Sequence, residues 1–279
     1  MNLENSIMNF SIDKPLFLFA IITLCLCCTG TRVNGQILNI EKSKVQRDTT
    51  NYFTSSFNLS GSYFNRSAAE DNPVNLLGLN LSADLLYLSN KHAYILINKY
   101  DYLRINENPF LNTGFSHFRI HFYRNNNYSF ELYTQYQYDN FRQLNPRLVL
   151  GGGPRFIFAQ SDNILFYGGT GFMGEYEQWI HPQTDEVVDV SLLKSSSYLS
   201  LRSKLSESLD FNVVTYYQVG YDPGITDFRH RTNLMANVIA KITQKLSFTL
   251  SFNIQYEDKP IVPITKVIFD VRNGVMYSF

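Results

Sequence analysis

The sequence predicts an all-β fold: a transmembrane, antiparallel, up-and-down β-barrel of about twelve strands, of the outer-membrane type. Three observations predict it. Segments of roughly a dozen residues alternate apolar and polar side chains, and turn residues separate them, which is the period of a strand with two unlike faces. Charged residues make up only 17% of the chain, against roughly 25% in soluble domains, while aromatics reach 15%, with 19 Tyr and 22 Phe. The last segment, Val267 to Phe279, puts Phe279, Tyr277, Val275, Val271, Phe269 and Val267 on one face and a mixed polar set on the other. An aromatic ending of this kind predicts a closing strand in which Tyr277 and Phe279 serve as the insertion signal read by the barrel-assembly machinery.

The first 50 residues carry a different signal. Lys14 precedes the apolar run Pro15 to Cys28, and Val33-Asn34-Gly35 follows as a small-residue exit. This three-part pattern predicts a secretory signal peptide over 1–35, and the run is shorter than the roughly 20 residues a membrane helix needs. Lipidation at Cys27 or Cys28 is the rival reading, but Leu26 and Cys27 stand where that signal wants a small residue. The three cysteines, Cys25, Cys27 and Cys28, all fall within this leader, so no disulfide framework is expected in the mature chain. A periplasmic segment over 36–50 and a barrel over 51–279 complete the expected organisation, in the outer membrane of a Gram-negative-type bacterium.

The segments follow in order. The first, about Asn51 to Phe64, sets Phe53, Phe57, Leu59 and Tyr63 against Thr54, Ser56, Asn58 and Ser60. The second, Val74 to Leu88, opposes Leu77, Leu79, Leu81, Leu85 and Tyr87 to Asn80, Ser82 and Asp84. A third spans His92 to Leu103. The fourth, Thr113 to Tyr123, opposes Phe118, Ile120 and Phe122 to His117, Arg119 and His121, and the fifth, Tyr128 to Asp139, alternates as cleanly. Arg147 to Ala159 and Ile164 to Gln178 are rich in glycine, and Pro154, which has no N–H for a ladder, predicts a bulge. Ser196 to Leu205, Leu209 to Tyr221 and Arg231 to Ile242 come next. Leu246 to Tyr256 then alternates without exception.

Connections after even-numbered segments are short, around Ser89-Asn90-Lys91, Asn125-Asn126-Asn127, Ser161-Asp162-Asn163, Glu207-Ser208 and Gln244-Lys245. Those after odd-numbered segments read as longer, such as Asn65 to Pro73, Trp179 to Ser195 and Asp258 to Lys266. Short turns at one end, long loops at the other and an even strand count fit a barrel with both termini in the periplasm. A secreted β-sandwich would show the same alternation; the low charge and a polar face of Ser, Thr, Asn and Gly count against it.

The polar faces hold a row of charges expected in the lumen: Glu131, Arg155, Asp139, Arg147, Glu175, Glu177 and His121. One hairpin register sets Asp139 opposite Arg147 and Glu131 opposite Arg155. Across the neighbouring turns, Arg147 comes opposite Glu177, with Glu175 close by, and His121 opposite Glu131. Such a row is either a selective constriction or a salt-bridged plug, and paired signs favour the plug.

Enzyme readings have less behind them. His117 and His121 have the spacing of a helical zinc motif, yet Phe118 replaces its glutamate, and on a strand the two lie roughly 13 Å apart. The longer connections offer His181, His230, Asp185, Asp189, Asp222, Asp227 and Ser191 to an outer-membrane hydrolase or accessory protein, the alternative function. No cofactor or metal is expected. Balanced charge, 24 basic against 24 acidic residues, gives no cue for nucleic acid, and membrane lipid is the expected partner.

Asn39-Ile40-Glu41, Asn112 to Arg119 (N-T-G-F-S-H-F-R), Arg147 to Phe156 (R-L-V-L-G-G-G-P-R-F), Glu175-Tyr176-Glu177, Ser197 to Ser200, Thr215 to Gln218, Lys245 to Phe248 and Asn273-Gly274 together resemble the DUF481 family, described as salt-induced outer-membrane proteins. The resemblance implies a barrel and an outer-membrane address. It brings no activity and no catalytic residues.

Overall fold

The computed structural model of the chain describes residues 51–66, 74–244 and 246–277. The expected signal peptide, the 36–50 segment and Phe279 lie outside these residues. Twelve strands follow one another: β1 (Tyr52–Arg66), β2 (Val74–Leu88), β3 (Ala93–Ile105), β4 (Asn108–Phe122), β5 (Tyr128–Asp139) and β6 (Leu144–Gln160). The second half comprises β7 (Ile164–Ile180), β8 (Val187–Ser206), β9 (Leu209–Asp222), β10 (Asp227–Lys241), β11 (Leu246–Glu257) and β12 (Val267–Tyr277). They form one antiparallel meander in sequence order, and no ladder joins β1 to β12 among the described residues. The sheet curls on itself: Tyr198 of β8 bonds Glu131 of β5, and Arg231 of β10 bonds Glu175 and Glu177 of β7.

The short turns stand where the sequence puts them, at 89–92, 123–127, 161–163, 207–208 and, between β10 and β11, from 242. The opposite end differs from expectation. β3 and β4 meet across 106–107 alone, and most of the stretch from Trp179 to Ser195 is strand, leaving only 181–186 as the turn. The alternation there turns polar on its outer face without stopping. Tyr176 Oη and Gln178 Nε2 both donate across the pair to Asp189 Oδ1, at 2.8 and 3.0 Å, so the ladder runs on past the apolar band. Among the connections lying wholly within the described residues, 258–266 is the long one.

Burial is inverted relative to a soluble protein. Apolar side chains of the convex face stand exposed, with Phe172 at 68% and Leu193 at 71%, and so do Phe57, Leu59, Leu150, Phe269 and Val271. The concave face buries charge: Arg119, His121, Glu131, Arg155, Glu175, Glu177 and Lys194. Aromatic pairs, each with at least one exposed ring, collect at both ends of the convex face. Tyr87–Tyr94, Tyr128–Phe156 and Phe158–Phe166 lie near the short turns, with centroids 5.9, 5.3 and 5.1 Å apart. Phe110–Phe141 and Tyr221–Phe228, at 5.5 and 5.4 Å, mark the other end.

Two corrections concern β6. The expected bulge at Pro154 is absent from the register, which stays in step from Gly152↔Phe172 to Arg155↔Gly169. The backbones close up across the proline because a Cβ at Gly153 would strike the Thr170 carbonyl and one at Gly171 that of Gly152. The irregularities fall on either side, between Leu144 and Arg147 and between Ile157 and Ala159. The β5–β6 register is also two residues from the expected one. Ser129, not Glu131, faces Arg155, and Gln137, not Asp139, faces Arg147. Beyond a further irregularity between Gln137 and Asp139, Asp139 ends β5 opposite Leu144, and its Oδ1 accepts from the Arg142 N–H of the following turn at 3.1 Å.

Candidate functional site

The concave face encloses a cavity of about 360 Å³ walled by strands from β3 to β12, with Arg119, Glu131, Arg147, Glu177, Arg231 and Glu257 on its lining. Because a strand alternates its side chains, each of these is delivered inward by the same parity that sends its apolar neighbours outward.

The central network joins four cations to three carboxylates. Glu175 Oε1 takes Arg147 Nη2 at 2.6 Å and Arg231 Nη1 at 2.8 Å, while its Oε2 is paired with Lys194 Nζ. Glu177 Oε1 takes Arg147 Nε at 3.1 Å and Arg231 Nη2 at 2.8 Å, and its Oε2 accepts from Trp179 Nε1 at 3.1 Å. Arg231 Nε reaches Glu257, whose other oxygen stands 3.8 Å from Arg142. The Arg231 fork thus holds three carboxylates from β7 and β11 at once. Such planar, multidentate bonding suits a guanidinium and not an ammonium.

A second group forms around Glu131. His121 Nε2 lies 3.2 Å and Arg119 Nη1 3.6 Å from Glu131 Oε2, which also accepts from Tyr198 Oη at 3.1 Å. Arg119 lies over the Tyr133 and Tyr198 rings at 5.4 and 5.8 Å. The tyrosines fit because their ladder partners on the adjoining strands lack side chains, Gly151 opposite Tyr133 and Gly169 opposite Tyr198. A Cβ at Gly151 would come within 2.7 Å of Tyr133, and one at Gly169 within 2.6 Å of Tyr198. Arg155 takes the Tyr167 ring face at 4.3 Å.

Apolar clusters sit at both ends of this interior. Leu86, Leu88, Ala93, Ile95 and Ile97, with Phe115 against them, pack near the short turns. At the other end Leu144, Trp179 and Val262 pack together, and Ile261 and Ile264 join them, so connection 258–266 folds inward over the cavity. His230 N–H donates to Asp258 Oδ1 at 2.8 Å, and Lys259 is paired with Asp227. Trp179 is 1% exposed and also lies under the Arg142 guanidinium at 5.6 Å.

Of the charge row expected from sequence, Arg147, Glu175 and Glu177 share one network and His121 meets Glu131. Arg155 and Asp139 are brought into neither ion pair expected of them. Lys194, Arg231, Arg142 and Glu257 were missed. Lys194 meets Glu175 across the β7–β8 ladder and Arg231 faces Glu257 across the β10–β11 ladder, while Arg231 reaches Glu175 and Glu177, and Arg142 reaches Glu257, across the interior; the signal available for Lys194, Arg231 and Glu257 was their inward parity. Tyr277 pairs with Leu246 in the β11–β12 ladder. The polar residues of the longer connections are held in separate small pairs: Asp222 with Arg229 at 2.6 Å, His230 with Tyr217 Oη at 2.7 Å, Asp189 with Tyr176, and His181 N–H to the Glu186 carbonyl.

The chain belongs to DUF481, a family described as proteins of unknown function, whose model matches residues 75–277. Among curated proteins none matches it.

Proposed function

We propose that this protein is a transmembrane β-barrel of the bacterial outer membrane, non-enzymatic, with an interior closed by its own side chains. Its role is then structural, or at most that of a narrow passive channel. The inverted burial carries the reading: apolar side chains cover the convex face while charges fill the concave one. In water the exposed band would be a large aggregation liability. In lipid it is the required surface, and aromatic groups at both ends match the girdles of such barrels. The twelve-stranded antiparallel meander has the even strand number of this class. A pore selective for one sign of charge would leave that sign unpaired. Here Glu175, Glu177 and Glu257 are all engaged by guanidinium or ammonium groups, which supports a packed interior.

The test is fractionation of the native chain with outer membranes, heat-modifiable gel migration, and planar-bilayer recording of the refolded protein. The reading expects outer-membrane recovery, a fast-migrating folded band and no large conductance steps. A soluble periplasmic product would sink the barrel. Steps of porin size would sink the closed interior.

A further inference from the structure

The β7–β8 hairpin outgrows its neighbour. β8 pairs with β7 from Ile180↔Val187 to Ile164↔Ser203, but with β9 only from Lys194↔Gly220 onward. β9 ends at Asp222 because the chain turns back there: Asp222 Oδ1 accepts the Gly224 N–H at 2.8 Å, Pro223 has no N–H to extend the ladder, and β10 begins at Asp227. Val187 to Leu193 therefore lie in a ladder on one side only. His181 N–H donates to the Glu186 carbonyl at 2.8 Å, and Ile180 N–H turns the other way, to the Gln143 carbonyl at 2.9 Å. Backbone groups alternate between the two neighbours of a strand, so Val188 and Val190 bond β7, while Val187, Asp189 and Ser191 turn their N–H and C=O groups to the open side. None of these three has a backbone partner there among the described residues. The edge lies beyond the apolar band: above Leu193 the outer face carries Ser191, Tyr176, Asp189 and Gln178, and Val187 is 59% exposed.

An open edge is a template for a further strand, and charge decides which strand fits. The stretch from His181 to Leu193 holds Asp185, Glu186 and Asp189 and no lysine or arginine. Among the described residues Asp189 accepts only from neutral donors, Tyr176 Oη and Gln178 Nε2, and the Glu186 carboxylate only from the Thr184 hydroxyl at 3.2 Å. A second copy of this chain fits poorly. Laid antiparallel on its own edge in fullest overlap, with Val187 opposite Ser191, it sets Asp189 against Asp189, and like charges directly opposite destabilise a strand pair. We propose that the edge from Val187 to Ser191 takes an extended segment of a partner protein by strand addition, with a lysine or arginine of that segment against Asp189. β-branched residues, which suit an extended backbone, flank that cation. Main-chain bonds to Val187, Asp189 and Ser191 supply the affinity, and the cation supplies the choice of partner. The site stands independently of the membrane and closed-interior reading, since it needs only the unequal lengths of β8 and β9.

The experiment uses the full chain refolded in detergent and fluorescein-labelled seven-residue peptides of alternating threonine and valine, with lysine or glutamate in place of the central valine. Fluorescence anisotropy is expected to show binding of the lysine peptide, several-fold weaker binding of the glutamate peptide, and none once alternate backbone nitrogens of the lysine peptide are methylated. Asp189→Lys should reverse the preference. Val187→Pro, which removes an edge N–H and no bond to β7, should weaken the lysine peptide several-fold. In the free chain, amide exchange should be fast at Asp189 and slow at Val190, a readout that needs no variant to fold. Failure of the lysine peptide to bind, full binding by the methylated peptide, an unchanged preference in Asp189→Lys, or equal protection of Asp189 and Val190 would overturn the proposal. So would a dimer of the native chain that Val187→Pro dissolves, which would give the edge to a second copy.

Discussion

Glu175→Gln is the sharpest perturbation of the interior. The glutamate receives Arg147, Arg231 and Lys194 at once. Without its charge, those three cations face only Glu177 and Glu257. Removing one partner of a buried ion pair typically costs 3–5 kcal/mol, and about 3 kcal/mol is expected here because Arg147 and Arg231 still reach Glu177. With a urea slope of about 2–3 kcal/mol/M, the midpoint should fall by about 1–1.5 M. The chain has one tryptophan, Trp179, buried beside Glu177, so its fluorescence reports unfolding of this region directly. Lys194, whose ion-pair partner is Glu175, becomes the surplus charge, so Glu175→Gln/Lys194→Met should recover part of the loss. Lys241→Ala is the control: its pair with Asp210 is solvent-exposed and should be worth no more than about 1 kcal/mol. If Glu175→Gln unfolds at the native midpoint or above it, the network is not the stabilising core described above.

Three further substitutions address other parts of the molecule. Leu193→Arg separates lipid from water as the surroundings of the convex face. In lipid it should cost up to about 2–4 kcal/mol, the value of a midplane position, and lower the folded yield in vesicles, whereas a solvated site would register within about 0.5 kcal/mol. Trp179→Ala should cost about 3–5 kcal/mol and loosen connection 258–266, seen as trypsin cleavage after Lys266 several-fold faster than in the native protein; an unchanged rate would mean that the inward fold of this connection does not depend on Trp179. Gly169→Ala should destabilise by about 1–3 kcal/mol through collision with the Tyr198 ring, and Gly174→Ala, where the nearest atom is 4.0 Å away, should be close to neutral; equal effects would refute the packing of tyrosines on the glycine wall.

Much of the fold was legible because a strand with one apolar face must alternate. The limits of β2 and β5 and all five short turns follow from that rule and from turn residues alone. The pairs Arg147–Glu177 and His121–Glu131 were legible too, since both cross such turns. What the rule does not supply is the count of residues inside an irregular turn. At 138–147 the extra residue on β6, between Leu144 and Arg147 and opposite the step from Gln137 to Asp139, together with Gln143 at φ 64, sets a register two positions from the expected one. An even shift keeps every side chain on its face, so the alternation cannot report it. The rule also misleads where the interior is apolar. Leu86, Leu88, Ile95 and Ile97 break the two-faced pattern near one end because they pack inward against each other. The ion network escaped because Arg231 meets Glu175 and Glu177 through space and not through a turn, and because Lys194 meets Glu175 on the diagonal of a hairpin whose turn the sequence does not mark.

Among the described residues the ladders of this sheet join consecutive strands, so most of its contacts could form hairpin by hairpin, the kind of local topology that folds fast. The interior bonds are of another kind. Tyr198 and Glu131 are 67 residues apart, and Arg231 is 56 from Glu175. Neither of these two can form until the sheet has rolled to its final curvature, whereas His121–Glu131 and Arg147–Glu177 can form within their hairpins. The network therefore works as a late checkpoint on assembly: an intermediate with a slipped hairpin keeps its ladder but forfeits its ion pairs, and is the form left open to repair or proteolysis.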